Sequence, residues 1–293
     1  MAAQAAARVA ARVAAWVAQP PLARDFFDRP APEVAPALLG CVLAHETADG
    51  LVAVELTEVE AYSGATDPAS HAYRGRTGRN AVMFGPPGHA YVYFTYGMHF
   101  CVNVVCGSAG TAEAVLLRAG RVVAGEPLAR RRRATRRAAD TQEGIAADAT
   151  AGIPAETAAI TAAETAGETA DVMPARELAR GPARLCQALA ITRAQNGADF
   201  CSAASPLRLL PGHSVLSVDG TASVDGTAWD GALQDGTPHD GSAGDGPDRI
   251  PAELVISTGP RVGVTAAAEV AWRFWLTDDP TVSAYRLHKK RAR

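Results

Sequence analysis

The hydrophobic and polar positions in the centre of the chain alternate with the period of β-strands. Leu51 to Tyr62 predicts one long strand, and Tyr91 to Cys106 predicts two strands that turn at residues 96–98. Glu113 to Arg118 predicts a further short strand. Ser63 to Gly88 is punctuated by Gly and Pro, and loops of that length usually carry function. The pattern therefore predicts a sheet with a long functional loop beside it.

Helical patterns and further strands flank this central region. Leu22 to Pro36 predicts a short helix and a turn, and Glu177 to Ala190 predicts a helix that begins at Gly181-Pro182. Leu254 to Val264 and Ala271 to Leu276 predict the closing strands. The chain therefore combines strands with helices.

Two low-complexity tracts interrupt the pattern. Residues 138–175 and 217–248 each hold seven acidic residues and no Lys or Arg. This composition is typical of disordered segments, and the five-residue Asp-Gly repeat of the second tract lacks the terminal Glu of a calcium loop. We therefore expect one domain over residues 21–293 with two disordered acidic insertions, preceded by an Ala-rich helix or tail over residues 1–20.

The distribution of charge favours a polyanionic partner. The formal net charge is −3, but without the fourteen acids of the two tracts the rest of the chain carries +11. A basic body suits nucleic acid, although ordinary solubility charge is the alternative interpretation. The run from Arg130 to Arg137 fits a DNA-contacting patch and a solvated face equally well.

Lysine and cysteine usage excludes several classes of enzyme. The only lysines are Lys289 and Lys290, so neither a P-loop lysine nor a Schiff-base lysine is expected. The five cysteines form no CxxC pair, which indicates a reducing compartment, and we expect a cytoplasmic protein. No segment approaches the roughly 20 uninterrupted apolar residues that a membrane span requires.

A carboxylate and an arginine are the candidate catalytic groups. Glu60 lies near the end of the long predicted strand, and Glu58 shares its face because strand residues alternate. With support from Arg118, Glu60 could stay ionised and act on a water molecule. A purely structural buried pair between Glu60 and Arg118 is the alternative.

Aromatic residues nearby offer flat faces for a nucleobase. Tyr62, Tyr93 and His71 could stack on a base, although tyrosines on strands are more often core residues. Tyr96, beside Gly97 at the predicted hairpin tip, could act as a wedge between base pairs. Asn103 is a polar residue in an apolar strand and therefore needs a hydrogen-bond partner.

The ordered motifs VEAY…H…RN…MF…PG…YVYFTYGMHFCVN…VLLR resemble the 3-methyladenine (alkyladenine) DNA glycosylase family, as do RGPARLCQALAI and GPRVGV. The resemblance implies an α+β fold: a single mixed domain around a curved antiparallel sheet flanked by helices, like the formyltransferase C-terminal domain, with a protruding hairpin that enters DNA. It implies a monofunctional enzyme that flips an alkylated purine out of duplex DNA. An activated water would then hydrolyse the N-glycosidic bond and leave an abasic site.

The resemblance also assigns roles to residues. It implies that Glu60 is the general base and that Arg118 helps to hold the water. Three residues would sandwich the flipped base: Tyr62, His71 and Tyr93. Tyr96 would intercalate, and Asn103 would discriminate against ordinary guanine.

Three further residues are candidate DNA contacts: Met98, Arg79 and Arg261. No cofactor and no metal is implied, the partner is double-stranded DNA with damaged purines, and a monomer suffices. His99 and Thr95 depart from the larger residues that the family pattern suggests for the hairpin. The substrate range stays open among 3-methyladenine, 7-methylguanine, hypoxanthine and ethenoadenine.

Two rival interpretations stay open at the level of sequence. The first is a non-catalytic nucleic-acid binding protein on the same scaffold, in which Glu60 is structural. The second is a metallohydrolase that uses Glu58, Glu60 and His71, although the chain has no HExxH or HxxxH spacing to support it.

Overall fold

The computed structural model describes residues 18–95, 98–135, 173–212 and 255–285. These residues form a mixed α/β fold built on an antiparallel sheet. The strands are β1 (Val42–Thr47), β2 (Gly50–Ser63), β3 (Ala90–Thr95), β4 (His99–Cys106), β5 (Glu113–Ala124), β6 (Leu207–Leu210), β7 (Ile256–Gly259) and β8 (Arg273–Leu276). The helices are α1 (Arg24–Phe27), α2 (Ala31–Ala37), α3 (residues 126–135) and α4 (Pro182–Leu189).

Strand β2 organises the sheet, whose order is β3-β4-β5-β2-β1-β6. On one side β2 pairs with β5 from residue 53 to residue 63. On the other side its first half pairs with β1, whereas Glu58, Val59 and Glu60 pair with β8. Register shifts around Ala53 and Glu58 mark irregularities that bend and twist a strand, and the sheet curls into a half-barrel. The curl turns the second half of β2 towards β8.

The hydrophobic core lies against the sheet and is covered by α2 and α4. Gly181, with φ of 105°, and Pro182 begin α4, because proline lacks the N–H that a first helical turn leaves unbonded. Leu185, Cys186 and Leu189 then face inward. The helix therefore begins where the sequence predicted.

The other predicted elements are confirmed with altered lengths. β2 matches the long predicted strand, β3 and β4 form the predicted antiparallel pair, and β5 extends six residues beyond the predicted end at Arg118. β7 and β8 are shorter than the predicted closing strands. The hairpin tip with Tyr96 lies outside the described residues. So do residues 1–17, all but the end of the first acidic tract, and the whole of the second.

The arginine run forms part of α3 as far as residue 135, and several of its side chains bond to other segments of the protein. Arg130 donates to the Met173 carbonyl, Arg132 to the Ala188 carbonyl, and Arg133 to the Gln187 side chain. These contacts give three of the arginines partners within the fold, whereas Arg131 is exposed and residues 136–137 lie outside the described ranges. In the described ranges, no helix is long and apolar enough to cross a membrane.

Candidate active site

Strands β3, β4 and β5 form one wall of a cavity of about 450 Å³. Every second residue of a strand points to the same face, so each strand presents three side chains to this wall. They are Tyr91, Tyr93 and Thr95 on β3, His99, Cys101 and Asn103 on β4, and Ala114, Leu116 and Arg118 on β5. The rest of the lining includes Tyr62, His71 and residues 262–266. The cavity therefore brings together five predicted site residues: Tyr62, His71, Tyr93, Asn103 and Arg118.

The Glu60 carboxylate is fully buried and bonds to three groups that line this cavity. Its Oε1 lies 3.2 Å from Nη1 of Arg118 and accepts a hydrogen bond of 2.7 Å from the Val262 amide. Its Oε2 accepts a hydrogen bond of 2.8 Å from the Tyr62 hydroxyl. Glu60 and Arg118 therefore lie in direct contact, as predicted. The carboxylate itself is not exposed in the cavity, but the three groups that bond to it line the cavity wall.

Arg118 joins Glu60 to the second carboxylate, Glu58. Its Nε donates to Oε1 of Glu58 at 2.8 Å, while Nη2 donates to the Ser283 hydroxyl at 3.3 Å. Burial works to lower the pKa of Arg118, but the charges of Glu60 and Glu58 together raise it above its ordinary value. Arg118 is therefore a permanent cation between two carboxylates.

Three aromatic rings, those of His71, Tyr91 and Tyr93, form a cluster at the β3 end of the cavity wall. Tyr93 stacks on Tyr91 with ring centroids 5.6 Å apart, and the His71 ring stands edge-on to Tyr93 at 4.6 Å. Nδ1 of His71 lies 3.1 Å from the Tyr91 hydroxyl. Burial, followed by the charge of Arg79, lowers the pKa of His71 below its ordinary value. A neutral imidazole places no positive charge against a cationic ligand in the cavity.

Asn103 has the hydrogen-bond partner that its position in an apolar strand requires. Its Nδ2 donates to the backbone carbonyl of Tyr91 at 3.0 Å, and only 5% of the residue is exposed. Because Nδ2 is held by the backbone, the amide has one fixed orientation on the cavity wall. A fixed amide can discriminate between ligands by the groups they present.

The candidate DNA contacts occupy different environments. Met98 is exposed next to the hairpin tip, and the exposed Arg79 lies with its guanidinium 5.7 Å from the centre of the Tyr93 ring. Arg261, by contrast, is buried: its Nη1 and Nη2 donate to Asp67 at 2.5 and 2.9 Å. Its guanidinium also lies 4.7 Å from the Tyr62 ring centroid. This placement does not fit the expected DNA contact, and Arg261 instead braces the cavity.

Sequence reasoning missed several residues that complete the site. Arg273 and Ser283 bond to Glu58, Val262 bonds to Glu60, and Asp67 pairs with Arg261. Each of these contacts joins positions about 200 residues apart or more. No periodicity or short motif signals a pairing over that separation. One local signal existed, because GPRVGV carries both Arg261 and Val262 within the resemblance.

The metallohydrolase interpretation finds no support in the geometry. Glu58, which it requires as a ligand, accepts hydrogen bonds from two arginines and from Ser283. Within the part of the chain that the structure describes, no three His, Cys, Asp or Glu side chains lie close enough together to hold a metal ion.

Comparison with known proteins places this arrangement in a family context. The sequence profile described as "Methylpurine-DNA glycosylase (MPG)" matches residues 25–223. A protein of Streptomyces avermitilis is 42% identical over 93% of this chain and 95% of its own length. A protein of Leifsonia xyli subsp. xyli is 41% identical over 93% of this chain and 95% of its own length. A protein of Frankia casuarinae is 40% identical over 89% of this chain and 92% of its own length. All three are named "Putative 3-methyladenine DNA glycosylase".

Proposed function

This chain belongs to the methylpurine-DNA glycosylase family and is a DNA glycosylase for alkylated bases, and we propose that it acts on purines flipped out of duplex DNA. The substrates are alkylated purines of the 3-methyladenine type. The enzyme acts as a monomer in the cytoplasm, on nucleoid DNA. The product is an abasic site in an uncut strand.

The aromatic cluster supports the binding of an extruded base. An N3- or N7-alkylated purine is cationic, and a cation is attracted to the faces of electron-rich rings such as Tyr62 and Tyr93. Stacking of this kind contributes about 1–3 kcal/mol per base. The lowered pKa of His71 keeps the third ring neutral, which avoids repulsion of the cation. Tyr96 fills the space that the base leaves in the duplex.

The carboxylate supports hydrolysis by water. The water oxygen forms a bond to C1′ of the deoxyribose while the bond from C1′ to the purine nitrogen breaks, and its electron pair leaves with the purine. Glu60 takes the proton that the water loses. The cationic alkylpurine thereby departs as a neutral base, and the negative charge near the sugar favours the oxocarbenium-like transition state.

One observation carries the proposal: Oε1 of Glu60 lies 3.2 Å from Nη1 of Arg118, and Arg118 lines the same cavity as Tyr62 and Tyr93. The arginine can orient a water molecule at the cavity wall, next to the carboxylate that receives its proton. Asn103, whose side chain is held by the Tyr91 carbonyl, then excludes ordinary guanine because it clashes with the exocyclic amine of that base.

Glu60→Gln tests the proposal, because the amide keeps the shape of the side chain and cannot accept the proton. Single-turnover release of 3-methyladenine from a duplex with one lesion should fall by about 10²–10⁴-fold, the usual contribution of a general base. Affinity for the same duplex should be retained. Glu55→Gln is the matched control, because Glu55 lies on the same strand but pairs with the exposed Arg121.

Three outcomes would contradict the proposal. Wild-type-like release by Glu60→Gln would remove the general-base role. Binding of damaged DNA by the wild-type chain without base release would favour the non-catalytic interpretation. A strand break that borohydride traps as a covalent adduct would replace water with an amine as the nucleophile.

A further inference from the structure

Glu58 is a buried carboxylate beside the site that accepts four hydrogen bonds, and the proposed chemistry does not use it. Oε1 accepts from Nε of Arg118 and Nε of Arg273, both at 2.8 Å, and from the Ser283 hydroxyl at 2.9 Å. Oε2 accepts from the Ser283 amide at 2.7 Å. Isolated buried carboxylates are costly, and four donors to one such group form a built arrangement.

The two carboxylates and the two arginines form one buried chain of charges. Arg273 bonds to Glu58, Glu58 bonds to Arg118, and Arg118 contacts Glu60. All four side chains are at least 93% buried, and their formal charges cancel. In the sheet, Arg273 is also the direct β8 neighbour of Glu60.

The geometry shows how Glu58 directs Arg118. An unrestrained guanidinium would form a bidentate pair with the nearest carboxylate. Here Glu58 holds Nε of Arg118, so only Nη1 contacts Glu60, at the longer distance of 3.2 Å. Because Arg118 contacts only Oε1, the described residues give Oε2 of Glu60 one hydrogen bond, from the Tyr62 hydroxyl, and that oxygen keeps the capacity to accept a proton. Arg118 still forms part of the cavity wall.

We infer that Glu58 and Arg273 are positioning residues, which fix the orientation of Arg118 and balance its charge so that Glu60 remains a base. The inference rests on the proposed function, because it requires Glu60 to be the group that accepts the proton. Neither Glu58 nor Arg273 lines the cavity, so neither is assigned contact with the substrate.

Several charged or titratable groups face Glu60 from the elements packed around it. They are Glu58 and Tyr62 on β2, Tyr93 on β3, Cys101 on β4, Arg118 on β5, Arg273 on β8 and, across the Tyr62 ring, Arg261. Glu58 contributes the only negative charge among them at neutral pH, and Arg273 supplies the matching positive charge. Removing one charge or the other should therefore have opposite effects on the pH dependence of base release.

The test compares Glu58→Gln and Arg273→Met by the pH dependence of single-turnover base release. The acid limb is the part of the pH–rate profile in which the rate falls as pH decreases. Loss of the negative charge in Glu58→Gln should move this limb to lower pH by about one unit, and loss of the positive charge in Arg273→Met should move it to higher pH. Both variants should lower the plateau rate by about tenfold to a hundredfold, because Arg118 loses its fixed position. DNA affinity should change little.

Controls separate this inference from simple damage to the fold and from the proposed function. Glu55→Gln should leave both the plateau rate and the acid limb unchanged. Each comparison is repeated in a His71→Gln background, in which imidazole titration no longer contributes to the limb. Far-ultraviolet circular dichroism shows that each variant is folded at the assay temperature, and methionine preserves packing of the Arg273 side chain against Trp275.

Opposite shifts of the acid limb support the inference. Shifts in the same direction, or unshifted limbs in folded variants, would overturn it, because a purely structural role changes rates without moving the limb in a charge-dependent way. If Glu60→Gln is inactive and the limbs do not shift, only this inference fails. If Glu60→Gln is active, the proposed function itself fails.

Discussion

The buried ion pair between Asp67 and Arg261 gives the most direct quantitative prediction. Asp67 accepts two bonds from the guanidinium, at 2.5 and 2.9 Å, and two from the backbone amides of Ser63 and Ala69, at 3.3 and 3.0 Å. Both side chains have no exposed surface. In Asp67→Asn, the new amide donor must face either the guanidinium or a backbone N–H, so at least one buried donor loses its acceptor.

The expected loss of stability follows from this accounting. Removing one partner of a buried ion pair costs about 3–5 kcal/mol, because the other charge stays buried. Arg261 would keep only two backbone acceptors, the carbonyls of Ala61 at 3.0 Å and Ala267 at 3.4 Å, and neither carries a charge that balances the guanidinium. In domains of about 150–250 residues each 1 kcal/mol lowers Tm by about 2–4 °C, so a decrease of roughly 6–20 °C is expected.

Urea denaturation and thermal unfolding, followed by circular dichroism, measure this loss. Glu126→Gln is the control, because the pair of Glu126 and Arg130 lies on the surface of α3 and should contribute about 0.3–0.5 kcal/mol. Adding Arg261→Met to Asp67→Asn removes the orphaned charge and should recover part of the stability. A loss below about 1 kcal/mol for Asp67→Asn would refute the reasoning, because that is the value of an exposed pair.

Two further predictions concern DNA affinity and pH. Arg76 is exposed on the loop that begins at the cavity residue His71. In a plot of log DNA affinity against log salt concentration, Arg76→Gln should make the slope shallower by about one, whereas Arg131→Gln on α3 should leave it unchanged. Equal slopes for the two variants would contradict a phosphate contact by Arg76. Burial is the main cause that lowers the pKa of His45 in the folded protein. Below about pH 6.5 the unfolded chain therefore binds more protons at this residue than the folded chain does. The free energy of unfolding should fall as pH decreases from about 7 to about 5. His45→Gln should show a smaller fall in urea denaturation, and an identical fall would show that another group titrates.

Local patterns predicted the elements that depend on neighbouring residues. The alternation in β2 and the Gly181-Pro182 start of α4 are signals within one turn or one strand, and the structure confirms both. Strand parity also placed Glu58 and Glu60 on one face, and both contact Arg118. The side chains that carry the proposed chemistry are therefore readable from short segments.

Long-range pairing could not be predicted in the same way. Arg261 was a candidate DNA contact, but it is buried against its counter-ion Asp67, which lies 194 positions away. Arg273 gave no signal, because its relation to Glu58 depends on the register of β8 against β2. Such registers are set by the tertiary packing of the curled sheet, and the alternation within a single strand does not encode them.

The pairing of β2 with β8 also ties the two carboxylates to a strand that is made late in translation. A nascent chain that ends before Arg273 already contains Glu58, Glu60 and Arg118, but it lacks the strand that pairs with residues 58–60 of β2 and the guanidinium that bonds to Glu58. We therefore expect an unfinished chain to carry the reacting groups without the complete scaffold that aligns them.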